Sequence, residues 1–351
     1  MFKQLAAGIA AFGLLSGMVH AAEGAPELET FVVSGEQPGP GLWKVSKGDH
    51  VLWLLASYGS LPKGMTWRTS EIESRIAESQ EVLYGPSISI SPDIGLLRGL
   101  TLIPAALKAA KIPDGRTLKD VLPADTYSKW LALRLKYMGK DDDVEKMRPA
   151  LALEQLRAKA AEKNGLTGGP NIFAVVGDIR KKHKVPGTRM PAISRTIRVE
   201  NPRGMLKNAQ KLQLPDVECF TRGLDKIESD IERTRALANA WARGDVQTLR
   251  SMHRNLPMRE AARENCAYSL MVALNESESA DAAHSKQMLD DAMWHVEQAS
   301  VQAEINWIAA AQASIAKNRS TFAVLPVAEM FRPDGHLEKL RALGYMVEEP
   351  K

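Results

Sequence analysis

Hydrophobic and polar positions trade places in a strand-like rhythm near the start of the chain. Leu42-Trp-Lys-Val45 and Val51-Leu-Trp-Leu-Leu55 flank the polar Ser46-Lys-Gly-Asp49, which predicts a hairpin. Leu61-Pro-Lys-Gly64 ends the second strand. The spacing then lengthens to the helical period. Ser70-x-x-Glu73 has the form of a capping box, and Ile72, Ile76, Ser79, Val82 and Leu83 continue one inner face. Further helices are expected over Leu96–Lys111, Ala124–Met138 and Val144–Lys163. The glycines of 164–169 end the last of these, before a short strand expected at Ile172–Val176. From Asp216 the pattern is helical, broken at Arg243-Gly-Asp245 and Leu256-Pro257, with one long helix over Ala280–Ala316. A strand at Thr321–Val327, a turn at Pro333-Asp-Gly335, a helix turning Leu337, Leu340 and Leu343 inward, and a strand at Tyr345–Val347 complete the chain. Helices dominate while strands cluster at the beginning, middle and end. The expected fold is therefore α+β, helix-rich, with a mixed sheet joining N- and C-terminal strands.

The first residues follow another logic. Lys3 precedes an uncharged stretch from Leu5 to Val19, and Val19-His-Ala21 supplies small residues at −3 and −1. This is the pattern of a cleavable signal peptide, 1–21, cut after Ala21. The stretch is interrupted by Gly8, Gly13 and Gly17 and falls short of the roughly 20 apolar residues of a spanning helix. A flexible, Gly/Pro/Glu-rich lead-in (22–41) and one domain (42–351) follow, and the mature protein is expected in the periplasm or outside the cell. In an oxidising compartment the two cysteines, Cys219 and Cys266, read as a disulfide. The formal charge of +4 falls to +3 without Lys3, too small a balance to suggest a nucleic-acid partner.

Chemistry is sparse by motif alone. No HExxH, HxH or Cys/His zinc spacing occurs, nor a Gly-x-Ser-x-Gly elbow. His284 and His295 return to nearly the same helical face but stand about 16 Å apart along the axis, too far for one metal. The glycines of Asn164-Gly-Leu-Thr-Gly-Gly169 lack the Gly-Lys-Ser/Thr of a phosphate loop. Between Arg180 and Arg203 the chain carries eight basic residues against Glu200 alone. Arg180, Lys181, Lys182, Lys184 and Arg189 are the candidates for a polyanion-binding patch, with a solvated face as the plain alternative.

Three stretches together carry a resemblance. Leu42-Trp-Lys-Val-Ser-Lys-Gly-Asp49 with Leu54-Leu55 and Leu61-Pro62, the Trp241-Ala-Arg-Gly-Asp245 segment, and the tail running through Trp307, Phe322-Ala-Val324, Pro333-Asp-Gly335 and Leu340-Arg-Ala-Leu-Gly-Tyr345 resemble the TraB/GumN family, which includes Tiki-like proteases. The family's fold is related to ChaN-like and erythromycin-esterase-like proteins. The resemblance implies a metal-dependent hydrolase with a Gly-x-x-His motif after the first hairpin, a second after the last long strand, and a glutamate after the first helix. Such imidazoles could grip one divalent metal while the carboxylate activates its water.

This chain departs from that pattern at every such place. Ala56-Ser-Tyr-Gly59 stands for the first motif, Pro326-Val-Ala-Glu329 for the second, and Gly85 falls at the glutamate position. Ala303-Glu304 replaces an Arg-Asn pair before Trp307. Of the site positions Ala56, Gly59, Gly85, Pro326 and Glu329, one alone has a side chain able to ligate; His336 is seven residues beyond it. The expectation is a protein with no metal and no other cofactor that binds or scaffolds an envelope protein, a peptide or a polysaccharide. The alternatives are a rearranged hydrolase centred on Glu329 and an accessory role in envelope polysaccharide processing.

Overall fold

Burial of the first hairpin's alternating residues starts the main sheet. In the computed structural model, which describes residues 35–59, 61–199, 201–211, 216–252, 266 and 282–350, β1 (Glu36–Gln37) leads into β2 (Leu42–Lys47) and β3 (His50–Ser57). β2 and β3 pair antiparallel from Leu42↔Leu55 to Lys47↔His50, with Trp43, Val45, Leu52, Leu54 and Leu55 buried. β4 (Thr66–Trp67), α1 (Ser70–Ala77), β5 (Glu81–Tyr84), β6 (Ile88–Pro92) and α2 (Leu96–Ala109) follow. Next come α3 (Leu118–Val121), α4 (Ala124–Tyr137), α5 (Pro149–Lys163), α6 (Ile172–Lys182), β7 (Gly187–Arg189), β8 (Ile193–Ile197) and α7 (Pro202–Lys211). α8 (Val217–Arg243), α9 (Val246–Met252), α10 (Ala282–Lys317), β9 (Ser320–Pro326), α11 (Val327–Met330), α12 (His336–Ala342) and β10 (Met346–Glu348) complete the described chain.

The principal sheet has six strands in the order β10-β2-β3-β9-β5-β7. β10 and β2 are antiparallel, as are β2 and β3. β3–β9, β9–β5 and β5–β7 are parallel. The fold is thus α+β, helix-rich, with a mixed sheet joining strands from both ends of the chain. Phe322 to Leu325 of β9 are all buried, as a central parallel strand requires. Trp307, Ile308, Ala311 and Ile315 of α10 and Ile72 and Ile76 of α1 share its apolar cluster.

The course from 70 to 84 differs from the helical expectation. α1 stops at Ala77, and Ser79 Oγ turns back to Arg75 O at 2.7 Å. Val82 and Leu83 are both fully buried in β5, between β9 and β7. Adjacent apolar residues suit a strand covered on both faces, and sheet pairing outweighs helical continuation there. The capping box does not form: Thr69 occupies the N-cap without a side-chain hydrogen bond, while Glu73 holds Lys182 Nζ at 2.6 Å and His183 Nε2 at 2.7 Å.

Ile172–Val176 is likewise the start of a helix, not a strand. Asn171 Oδ1 accepts Ala174 N at 3.0 Å, capping α6, and Ile172, Val176 and Ile179 are its buried positions. That 0, 4, 7 spacing is helical; β7, short and exposed, takes the edge of the sheet. The glycine loop before it serves a backbone contact. Gly169 N donates to Leu61 O at 3.0 Å, and a Cβ at Gly169 would stand 2.3 Å from Pro62 O.

A second apolar cluster joins α3, α4, α5 and α8 around Trp130, Leu153, Leu156 and Phe220. Cys219 and Cys266 lie within it at disulfide distance, their Cα atoms 5.6 Å apart and both residues buried. The signal-peptide stretch, most of the lead-in, Leu256-Pro257 and Glu200 lie outside the described residues, as does the side chain of His284. Among the described residues no helix is long and apolar enough to cross a membrane.

Bonded, this cysteine pair would close a loop with 47 residues of sequence separation. Replacing both cysteines by serine is expected to lower the unfolding free energy by about 4 kcal/mol in the chain-entropy model. The shift of the urea midpoint against wild type measures it, and unchanged midpoints would refute the linkage.

Candidate site at the carboxyl edge of the sheet

Three parallel strands end side by side. Ser57 of β3 pairs with Pro326 of β9, and Tyr84 of β5 pairs with Val324 of β9 and with Arg189 of β7. Residues directly after β3, β5 and β9 therefore meet along one carboxyl edge, the usual place for a site in parallel sheets. Ala56, Gly59, Gly85, Pro326 and Glu329, far apart in sequence, are brought to this edge. A Cβ placed on Gly85 would touch Leu325 Cδ2 at 3.4 Å and Val324 O at 3.5 Å.

The Trp-x-x-Gly-Asp segment holds this edge in place. Trp241 is buried, packs edge-on to Trp67 with ring centroids 5.1 Å apart, and donates Nε1–H to Ala56 O at 2.7 Å. Gly244 ends α8 with φ 72°, and a Cβ there would meet Gly39 O and Gly41 N at 3.2 Å. Asp245 Oδ1 then accepts Thr248 N at 2.9 Å, at the start of α9. The segment works as a structural clasp beneath the site.

Side chains at the edge are mainly aromatic and cationic. Tyr58 follows β3, and burial pushes its phenol up to about 12, with Arg233 nearby pulling the other way. The phenol therefore stays neutral at physiological pH, though part of the residue remains exposed. The Arg189 guanidinium lies 4.9 Å from the Tyr84 ring centroid, a cation–π contact. The basic run is thereby divided. Arg189 stands at the site, whereas Arg180 donates to Val185 O at 2.7 Å, Lys181 lies 3.4 Å from Asp178 and Lys182 2.6 Å from Glu73. Lys184 is exposed, with φ 56°.

Glu329, the one carboxylate at the family positions, sits in α11. Arg332 Nη1 holds its Oε2 at 3.1 Å, and His336 Nδ1 lies 3.8 Å from the same oxygen. Arg332 Nη2 also reaches Glu304 Oε2 at 3.4 Å, where Lys339 Nζ binds at 2.6 Å. Burial opposes the charge of Arg332, but Glu329, Glu304 and Asp334 more than offset it and hold its pKa above the ordinary value. The Glu304 side chain is only 5% exposed, so its two cations compensate a carboxylate that would be costly alone. Glu304 was legible as a departure from the family's Arg-Asn pair. Its partners Arg332 and Lys339 were not, because they come from the far side of a turn.

His336 is 3% exposed, edge-on to Trp307 with centroids 4.9 Å apart. His336 Nε2, Trp307 Nε1 and Glu304 Oε1 are buried without a hydrogen-bond partner among the described residues. The metal implied by the family pattern finds no fitting donor set here. Ala56, Gly59, Gly85 and Pro326 have no ligating side-chain atom, and Glu329 is ion-paired. Among the described residues no three His, Cys, Asp or Glu side chains gather as a metal site needs.

Burial lowers the His336 pKa below its ordinary 6.5, against opposing pulls from Glu329 and Glu304. Its neutral form therefore belongs to the fold. This contribution is complete above pH 6.5 and declines as the pH falls from there towards the lower folded value, because the unfolded chain takes up the proton first. Between about pH 7 and pH 5, urea unfolding should show wild type losing more stability than His336→Gln. Equal slopes would refute a buried neutral imidazole.

A scan against family models matches residues 41–349 to the TraB/PrgY/gumN family. No curated protein and no solved structure matches the chain. The match spans nearly the whole described fold, from the first hairpin to the last strand. The chain belongs to the TraB/PrgY/gumN family.

Proposed function

We propose that this family member is a non-catalytic binding or scaffold protein of the cell envelope, exported by its N-terminal signal peptide. The observation that carries the reading is the edge of the sheet: of its five family positions, Glu329 alone has a donor, and Arg332 occupies it at 3.1 Å. Arg189, stacked on the Tyr84 ring, gives that edge a guanidinium that suits an anionic or aromatic ligand. The uncharged stretch from Leu5 to Val19, with small residues at Val19 and Ala21, supports export, and the Cys219–Cys266 pair suits an oxidising compartment. An envelope protein, a peptide or a polysaccharide could serve as ligand.

Protein purified from metal-replete cells should hold far less than one Zn or Mn per chain by elemental analysis. About one tightly bound metal per chain would overturn the non-catalytic reading, while detection of the chain only in the cytoplasm would overturn export.

One observation favours a second reading. The His336 and Glu329 side chains approach to 3.8 Å, and His336 Nε2 is buried and unpartnered. In a rearranged hydrolase this pair would form the acid–base centre. That reading expects Glu329→Ala to abolish a peptidase or esterase activity, and equal activity in the variant and wild type rejects it.

A further inference from the structure

Beside the candidate site, two strand–helix units leave the carboxyl edge together. β5 continues into β6 and α2, and β7 continues into β8 and α7. β6 and β8 pair in parallel from Ile88↔Ile193 to Pro92↔Ile197, and Ile90 and Ile193 pack against Ala299 and Ala303 of α10. α2 and α7 lie against each other, tied by Arg203 Nη2 to Thr101 Oγ1 at 3.3 Å and Gln210 Nε2 to Ala105 O at 3.2 Å. The unit is anchored on its inner side and open on its outer side.

The outer side has an unusual makeup. Leu96 and Leu97 are each 80% exposed and Leu100 55%, all within the first two turns of α2. Exposure of three neighbouring leucines marks an interaction surface. Arg98 lies among them, and Arg203 and Lys207 are exposed along the adjoining α7. Residues 88–109 and 193–211 together hold seven Lys and Arg against Asp93 and Glu200.

We propose that this face docks on an anionic phospholipid surface, with the leucines entering the headgroup boundary and the arginines and lysine meeting lipid phosphates. Projecting leucines flanked by basic side chains are what interfacial binding uses. A second copy of the chain would bring cations against cations, and an acidic polysaccharide would leave the leucines in water. At 80% exposure Leu96 and Leu97 project from the surface, so a fluid bilayer accepts them without a shaped pocket. The proposal concerns a different face from the sheet edge and stands whether or not that edge is catalytic.

The test is flotation of the protein, as isolated from cells, with vesicles of phosphatidylcholine alone or mixed with phosphatidylglycerol. Wild type should float with the mixed vesicles, and more weakly as salt rises. The triple variant Leu96→Ser, Leu97→Ser, Leu100→Ser should bind on the order of a hundredfold less or weaker. Arg203→Ala with Lys207→Ala should bind roughly tenfold less or weaker. All three residues of the leucine variant are exposed, so its thermal midpoint should match wild type and separate lost binding from lost folding. No flotation of wild type, or equal flotation of wild type and leucine variant, overturns the proposal. So does a wild-type dimer that the leucine variant converts to monomer without change in flotation.

Discussion

The pairing of β9 with β3 on one side and β5 on the other is the constraint on which the rest depends. β9 forms from residues 320–326, near the end of the chain, yet fills the gap between strands made at its beginning. The first hairpin and β5 cannot complete the sheet until that strand arrives, so the sheet core and the carboxyl edge form by long-range closure. Contacts of this range cost loop entropy before they contribute. The chain meets that cost with four consecutive buried residues, Phe322 to Leu325, and with α10 packed on the sheet.

The same closure holds the edge in shape through its backbone and clasp contacts. The strand ends are aligned by backbone pairing, by the bond from Trp241 to Ala56 O, and by glycine-dependent contacts at Gly244. None of these requires a metal-binding side chain at residues 56, 59, 85, 326 or 329. Nearby the chain uses a different way of holding polar groups: Glu304, Glu329, Arg332 and Lys339 form ion pairs across a turn, and buried His336 rests on Trp307. A family architecture built around an edge thus supports an edge populated by guanidinium, phenol and paired carboxylate.

Where local pattern and tertiary pairing agreed, the sequence was readable. The hairpin 42–55, α4, α10, β9 and the closing helix and strand all lie close to their expected positions, because turn residues and periodicity point the same way as packing. Leu343 alone, expected inward with Leu337 and Leu340, is exposed at the end of the last helix. Where they disagreed, packing prevailed. Val82 and Leu83 continue a helical face on paper, but two parallel neighbours make 81–84 a strand. Ile172–Val176 is a β-rich run, but with Ile179 it begins a 0, 4, 7 pattern, and the cap at Asn171 decides for the helix. The basic run reads as one patch in sequence, yet folding sends Arg189 to the site, Lys182 to Glu73 and Arg203 to the face of α2.

By itself, the sequence determined the fold class, the family pattern and that residues 56, 59, 85 and 326 carry no side-chain donor. Each rests on which residue types stand at which spacing, and a glycine or alanine cannot ligate through its side chain in any fold. Tertiary structure alone decided that residues 56–59, 85 and 326–329 share one edge, that Glu304 is held by Lys339 and Arg332, and that Leu96, Leu97 and Leu100 face outward. Those facts join positions tens to hundreds of residues apart, or depend on which side of a helix finds a neighbour. Local propensity carries no information about either.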